Sequence, residues 1–312
     1  PGVHNLPNDT LFVPSGTTVY IDGGARVYGN IFTEGAHDVN IFGRGEVHPD
    51  GRGAGVWVRR SKNVRIDGIV VSQLPIGQCD SVELTNVKSI SYYGWGDGMD
   101  VFSSSNVILD GVFCRNSDDC AAVYASTQGF KGGSNNVLVK NATLWADVAH
   151  PINIGGHGDP NGMDTVQNVT FRNIDILDQA EKQIDYQGCL AINPGDNTLV
   201  RNITFENIRI EDFRNGQLVN FRISFNPKYC VSTGRGIQNV LVKDVTYNGS
   251  GENLSIIAGY DENHKISGIR FVNLVVNGRK ITDDMPGKPK WYKTGDMAGI
   301  FVGEHVENLS FE

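Results

Sequence analysis

Two short stretches of this 312-residue chain carry carboxylates with no lysine beside them: SYYGWGDGMD at 91–100 and NSDDC at 116–120. Asp97 and the first aspartate of the Asp118–Asp119 pair lie 21 residues apart. If the chain returns on itself at that interval, the three side chains converge. Like charges that close cannot all ionise cheaply, so at least one carboxyl is driven to keep its proton. One protonated and one ionised carboxyl is what glycosidic hydrolysis requires: the acid protonates the leaving oxygen while the base activates water. A separation of roughly 6.5–9.5 Å leaves room for that water and gives inversion. Taken singly, Asp97 and Asp100 read as turn residues, and calcium would need about six to eight oxygens. Asp118–Asp119, flanked by Ser117 and Cys120, has no glycine and resists a turn reading. Asp100 is placed to cap or orient the group. In INIGGHGDP (152–160), His157 sits between glycines that let a ligand approach the backbone. Following the acidic pair on the next coil, it reads as tuning the acid's protonation.

A repeat supplies the coil. HDVNIFGRGEV, KNVRIDGIVV, SNVILDGVFC, NNVLVKNATLW, QNVTFRNIDIL, RNITFENIRIE and QNVLVKDVTYN share one plan: polar residues, a short alternating apolar run, then Asn, Asp or Gly, then a second run. Period-two alternation rich in β-branched residues indicates strands, and the Asn/Asp/Gly punctuation marks turns. Starts near 38, 62, 80, 105, 135, 167, 201, 238, 267 and 306 give intervals from 18 to 39 residues, the signature of a solenoid. No segment sustains a 3.6-residue period, and 38 glycines are spread throughout. An all-β parallel β-helix of one domain, residues 1–312, fits best. Its coils stack equivalent positions about 4.8 Å apart, which turns two sequence-distant acidic stretches into one site. The repeated asparagine is expected at the corners, its amide bonding along a stacked ladder.

The net charge of −8 and the lack of a lysine/arginine cluster argue against nucleic acid as partner. No apolar run reaches the roughly 18 residues of a membrane span. The chain opens PGVHNLPNDT, without a basic and then apolar leader, so it is expected to start after any signal peptide or never to have had one. Sequons at Asn8, Asn141, Asn168, Asn202, Asn248, Asn253 and Asn308 suit a secreted protein, or a periplasmic one in a bacterium. The five cysteines show no metal-ligand spacing and read as buried thiols or one or two disulfides. No cofactor or metal is expected, and a monomer is.

GDGMDVFSS, NSDDC and GGHG together resemble the polygalacturonase family, glycoside hydrolase family 28, over most of the chain. The resemblance implies a right-handed, pectinase-like parallel β-helix that hydrolyses α-linked polysaccharide or oligosaccharide with inversion and without a cofactor. It implies Asp118 as general acid, Asp97 and Asp119 as holders of the attacking water, and His157 as support for the acid. Two departures stand out. Trp95-Gly96 replaces the family's Asn-Thr, and CLAINPG (189–195) lacks the family's Arg-x-Lys grip on a galacturonate carboxylate. NVTFRNIDILDQA and NFRISFNP also look like the dextranase and isopullulanase group, family 49. The expected substrate is therefore a neutral, dextran-like α-glucan, with polygalacturonan and a non-catalytic carbohydrate-binding β-helix as alternatives. Arg222 or Lys228 could replace the missing cation from the following coil. The aromatic residues Tyr92, Tyr93, Trp95, Tyr124, Trp145, Tyr186 and Tyr229 fit a sugar groove. Trp95, Asp100, Tyr124, Asn193, Arg222 and Tyr229 are the expected substrate contacts.

Overall fold

The computed structural model describes residues 1–251 and 253–312. The chain winds as a right-handed parallel β-helix whose coils pair with the coils before and after them. Each coil contributes to three faces. The first stacks Lys62–Asp67, Asp80–Thr85 and Ser105–Asp110. The second stacks Val70–Val71, Lys88–Ile90 and Phe113–Asn116. The third runs Val56–Arg59, Ile76–Gly77, Met99–Phe102, Ala121–Tyr124, Ile152–Ile154, Leu190–Ile192 and Val219–Arg222. From residue 135 on, the first two faces merge into long bent strands such as Thr165–Asp178 and Leu199–Ile210.

The bends are made by asparagine. Asn141, Asn173 and Asn207 hold φ of 54°, 56° and 54°, the left-handed region that asparagine tolerates better than other non-glycine residues. Their amides form a ladder: Asn141 Nδ2 donates to Asp110 (2.7 Å), Asn173 to Asn141 (2.7 Å) and Asn207 to Asn173 (3.3 Å). At the preceding corner Asn106 donates to Asp80 and Asn136 to Asn106, and in later coils Asn168 donates to Asn135, Asn202 to Asn168 and Asn239 to Asn202. The sequons at Asn141, Asn168 and Asn202 are thus corner residues with engaged amides. Inside the coils, Val, Ile and Leu alternate inward, with Phe171, Phe205 and Phe221 stacked 5.8 and 6.0 Å apart. All five cysteines are buried free thiols. Among the described residues, no helix is long and apolar enough to cross a membrane.

On the third face Met99, Val101, Ala121, Val123, Ile152 and Ile154 point into the core. The alternate residues Phe102, Ala122 and Tyr124 pack in a separate outer cluster with Phe130. Loops entering this face (91–98, 179–189) and leaving it (125–134, 223–235) differ in length from coil to coil, and the later pair meets where Tyr186 stacks on Tyr229.

If the asparagine ladder holds the corners, Asn173→Ala should lose both a corner preference and two ladder bonds. A stability loss of roughly 1–2 kcal/mol is expected, read as a lower urea midpoint at unchanged slope. An unchanged midpoint would remove the ladder from the account.

Candidate active site

The acids stand where the chain enters the third face. Met99 pairs with Ala121, so this coil is 22 residues long and Asp97 stacks under Asp119, not Asp118. Gly98 N–H donates to the Asp119 carbonyl (2.7 Å) and Met99 N–H to the Cys120 carbonyl (2.9 Å). Gly98 is obligatory here: a Cβ would lie 2.2 Å from the Cys120 carbonyl oxygen. Buried Asn116 ties the two coils, its amide donating to Ser89 Oγ (3.0 Å), Ser91 Oγ (2.9 Å) and the Asp97 carbonyl (3.2 Å). Asp97, Asp118 and Asp119 offer carboxylate oxygens within 4.8 Å of one another.

Asp119 is sealed at 1% exposure and accepts five donors. His150 supplies its backbone N–H (3.0 Å) and Nδ1 (2.7 Å) to Oδ1. Tyr124 OH (2.6 Å), Asn153 Nδ2 (2.8 Å) and Tyr186 OH (3.3 Å) converge on Oδ2. Burial alone would raise its pKa, but attraction to His150 and these bonds pull it down to about 2. With its lone pairs taken, Asp119 is an anchored charge; the expectation that it holds the attacking water does not fit. The same saturation leaves it no lone pair for a cation. Burial, and then the Asp119 charge, push Asp118 up to about 8 and Asp97 up to about 7. Asp100 is buried in the floor, its Oδ1 without a partner among the described residues, and burial pushes its carboxyl far above the ordinary range. The arrangement therefore holds one fixed charge beside two proton-exchanging carboxyls, a set suited to acid/base work.

A cleft of about 520 Å³ opens over these acids. Trp95 lines it at 66% exposure, held at φ 63°, a strained backbone for a bulky residue. Tyr229 lines the opposite wall, stacked on Tyr186 at 4.6 Å. Lys228, whose Nζ donates to Gln183 Oε1 (3.0 Å), is the one lysine or arginine among the described lining residues.

Other expected contacts move. His157 lines the cleft but rests edge-on against Tyr124 at 5.0 Å, and no hydrogen bond among the described residues joins it to Asp118. Burial lowers its pKa. The histidine that meets the acids is His150, one coil beyond Asp119, since Ala121 pairs with Ile152. The sequence signal for it was register: His150 precedes its strand as Asp119 precedes Ala121. Tyr124 lines the cleft as expected, with its hydroxyl donated to Asp119 and its ring packed in the outer cluster. Asn193 bonds Asn220 Oδ1 (3.1 Å) and the Arg222 carbonyl (3.2 Å), away from the cleft lining. Arg222 donates to the Asp185 carbonyl (2.9 Å), bracing the short 3-10 turn Ile184–Tyr186. Tyr92 and Tyr93 lie outside the cleft lining too.

Residues 56–285 match the family model for glycosyl hydrolases family 28. The chain is 26% identical over 216 residues to a polygalacturonase of Juniperus ashei, covering 66% of the chain and 39% of that protein. It is 29% identical over 164 residues to a probable endo-xylogalacturonan hydrolase A of Neosartorya fischeri, covering 52% of the chain and 38% of that protein. The chain thus spans less than half the length of these two relatives. Among solved structures it is similar to a family 28 exopolygalacturonase of Yersinia enterocolitica: TM-score 0.69, 13% identity, covering 99% of this chain and 71% of that one. The likeness to family 49 finds no support in these matches; phrases such as NVTFRNIDIL are strand-corner-strand repeats that any such solenoid needs.

Asp97 and Asp118 keep protons well above the ordinary carboxyl value of 3.8. Between about pH 4 and 8 the folded chain holds protons that the unfolded chain has released, so stability falls as pH rises. Asp118→Asn removes its share of that penalty. It should melt on the order of a few degrees above the parent near pH 8.5 and hardly differ near pH 4. A difference that does not grow with pH would contradict the raised Asp118.

Proposed function

The chain belongs to glycosyl hydrolases family 28, and on that footing we propose that it hydrolyses the backbone of a galacturonan. The observation carrying the chemistry is the sealed, five-donor Asp119 beside two carboxyls that keep their protons to about 7 and 8. Asp118, on the cleft lining with its proton held, is the general acid to the leaving oxygen. Asp97, beside it from the coil below, is the base toward water. Asp119 is their electrostatic anchor, and His150, Asn153 and Tyr124 hold it. We read the outcome as inversion. Asp97 stands on the cleft lining beside Asp118, where a water it activates can attack the anomeric carbon while Asp118 protonates the leaving oxygen.

The neutral-glucan expectation gives way to its polygalacturonan alternative. It rested on Leu190, Ala191 and Ile192, where no cation stands. Leu190 and Ile192 are core residues, whereas a cation reaches the cleft from the loop after the following strand. Lys228, poised by Gln183 and 4.8 Å over the Tyr229 ring, can bind a uronate carboxylate with a charge-assisted bond. The relatives' names, polygalacturonase and xylogalacturonan hydrolase, favour the same class of backbone. Trp95 and the Tyr186–Tyr229 stack offer faces for sugar rings.

Asp118→Asn should lower turnover of polygalacturonate by roughly a thousandfold or more with the fold intact; full activity would sink the assignment. Lys228→Met should raise KM on polygalacturonate by about tenfold with little change in kcat, and equal loss on a neutral glucan would remove it as the uronate contact. In kcat/KM, the acid limb should follow ionisation of Asp97 and the alkaline limb deprotonation of Asp118, so both limbs lie above the ordinary carboxyl range. NMR of the first product reads its anomer, and a retained configuration would overturn inversion.

A further inference from the structure

On the far side of the 91–97 loop lies a second groove, of about 560 Å³, over the outer face of the second sheet. The loop is a shared wall. Gly94, Trp95 and Asp97 line the catalytic cleft, while Tyr92, Tyr93 and Gly96 line the groove. Tyr92 and Tyr93 pack with ring centres 4.2 Å apart at a 34° tilt and are 76% and 37% exposed, with their hydroxyls bonded at 3.1 Å. Facing them are Arg26, Glu46, His48 and Asp50. Arg26 is held by Glu46 at 3.1 Å, and burial keeps His48 toward its neutral form. The groove thus sets one cation, already paired, against two carboxylates. With Arg26 engaged by Glu46, the lining offers a uronate no free cation, and it suits a partner that brings hydroxyl donors and an apolar ring face.

We propose that this groove is a second carbohydrate site, taking a neutral sugar unit attached to the uronic backbone that the cleft holds. The proposal rests on the galacturonan reading of the cleft. Tyr92 supplies the stacking face, and Glu46 and Asp50 accept sugar hydroxyls. Because one loop carries both Tyr92 and Asp97, a branched polymer would be read on both sides of a single wall, giving preference for substituted over bare backbone.

The test compares Tyr92→Ala, and separately Asp50→Asn, with the parent on xylose-substituted galacturonan and on unbranched polygalacturonate. Each variant should lose roughly fivefold in kcat/KM on the substituted polymer and less than about twofold on the unbranched one. Equal losses on both polymers, or no loss on either, would overturn the proposal. Affinity electrophoresis in the Asp118→Asn background separates this from the hydrolase reading. Retardation by the substituted polymer should exceed that by the unbranched one, and Tyr92→Ala should abolish the excess. If the parent cleaves neither polymer, the hydrolase reading falls, and the same gel still decides the groove: no excess retardation overturns it.

Discussion

A carboxylate taken out of water costs several kcal/mol unless donors replace its hydration, and at Asp119 five of them do, from His150, Tyr124, Asn153 and Tyr186. Tyr124 comes from the strand that Asp119 leads into, and the other partners meet Asp119 because successive coils stack with fixed spacing. His150 enters from the next coil and Tyr186 from the one after. The helix thus acts as a clamp that keeps one negative charge in place, and that charge sets the protonation of its neighbours. Asp118 and Asp97, a few ångströms away, inherit raised pKa values from it and from their own burial.

The clamp also explains what the fold tolerates around it. Three carboxyls within 4.8 Å, with Asp100 buried in the floor, oppose stability. The stacked core and the asparagine ladders offset that opposition. Gly98 lets two coils approach where a side chain would collide, and Asn116 fixes the loop that carries Asp97. The same loop holds Trp95 at a positive φ, projecting the indole over the cleft. Strain of this kind persists only where surrounding bonds over-determine the backbone. Here Gln73 Nε2 donates to the Trp95 carbonyl (3.3 Å), and Ser91 and Ser117 bond the loop's carbonyls.

Much of this architecture was legible in the sequence, because corners and strands repeat in every coil. Alternating Val/Ile runs and the Asn that follows them state a local rule: apolar in, turn, apolar in. The convergence of Asp97 with the 118–119 pair was also legible, but off by one residue, since a coil of 22 can be distinguished from one of 21 only by its pairing. Beyond that coil, loop lengths vary. Ile152 lies opposite Ala121, and Leu190 opposite Ile152, so counting from the sequence loses register. Hence His150, which no motif marks, comes to Asp119 only through the pairing register, while His157 between its glycines lies on the cleft lining against Tyr124. Tyr124 is on the cleft lining as its place suggests, but no sequence pattern shows that its hydroxyl is engaged by Asp119. Between Arg222 and Lys228 the sequence could not choose, because only the folded loop shows that Lys228 lines the cleft while Arg222 turns to the Asp185 carbonyl.

The most direct measurement is a carboxyl titration by NMR with carbon-13-labelled aspartate, following Asp97, Asp118 and Asp119 by the loss of each signal in its Asn variant. The account predicts that Asp119 stays ionised down to about pH 2, while Asp97 and Asp118 titrate near 7 and 8. Three carboxyls titrating together at ordinary values, around pH 4, would contradict it.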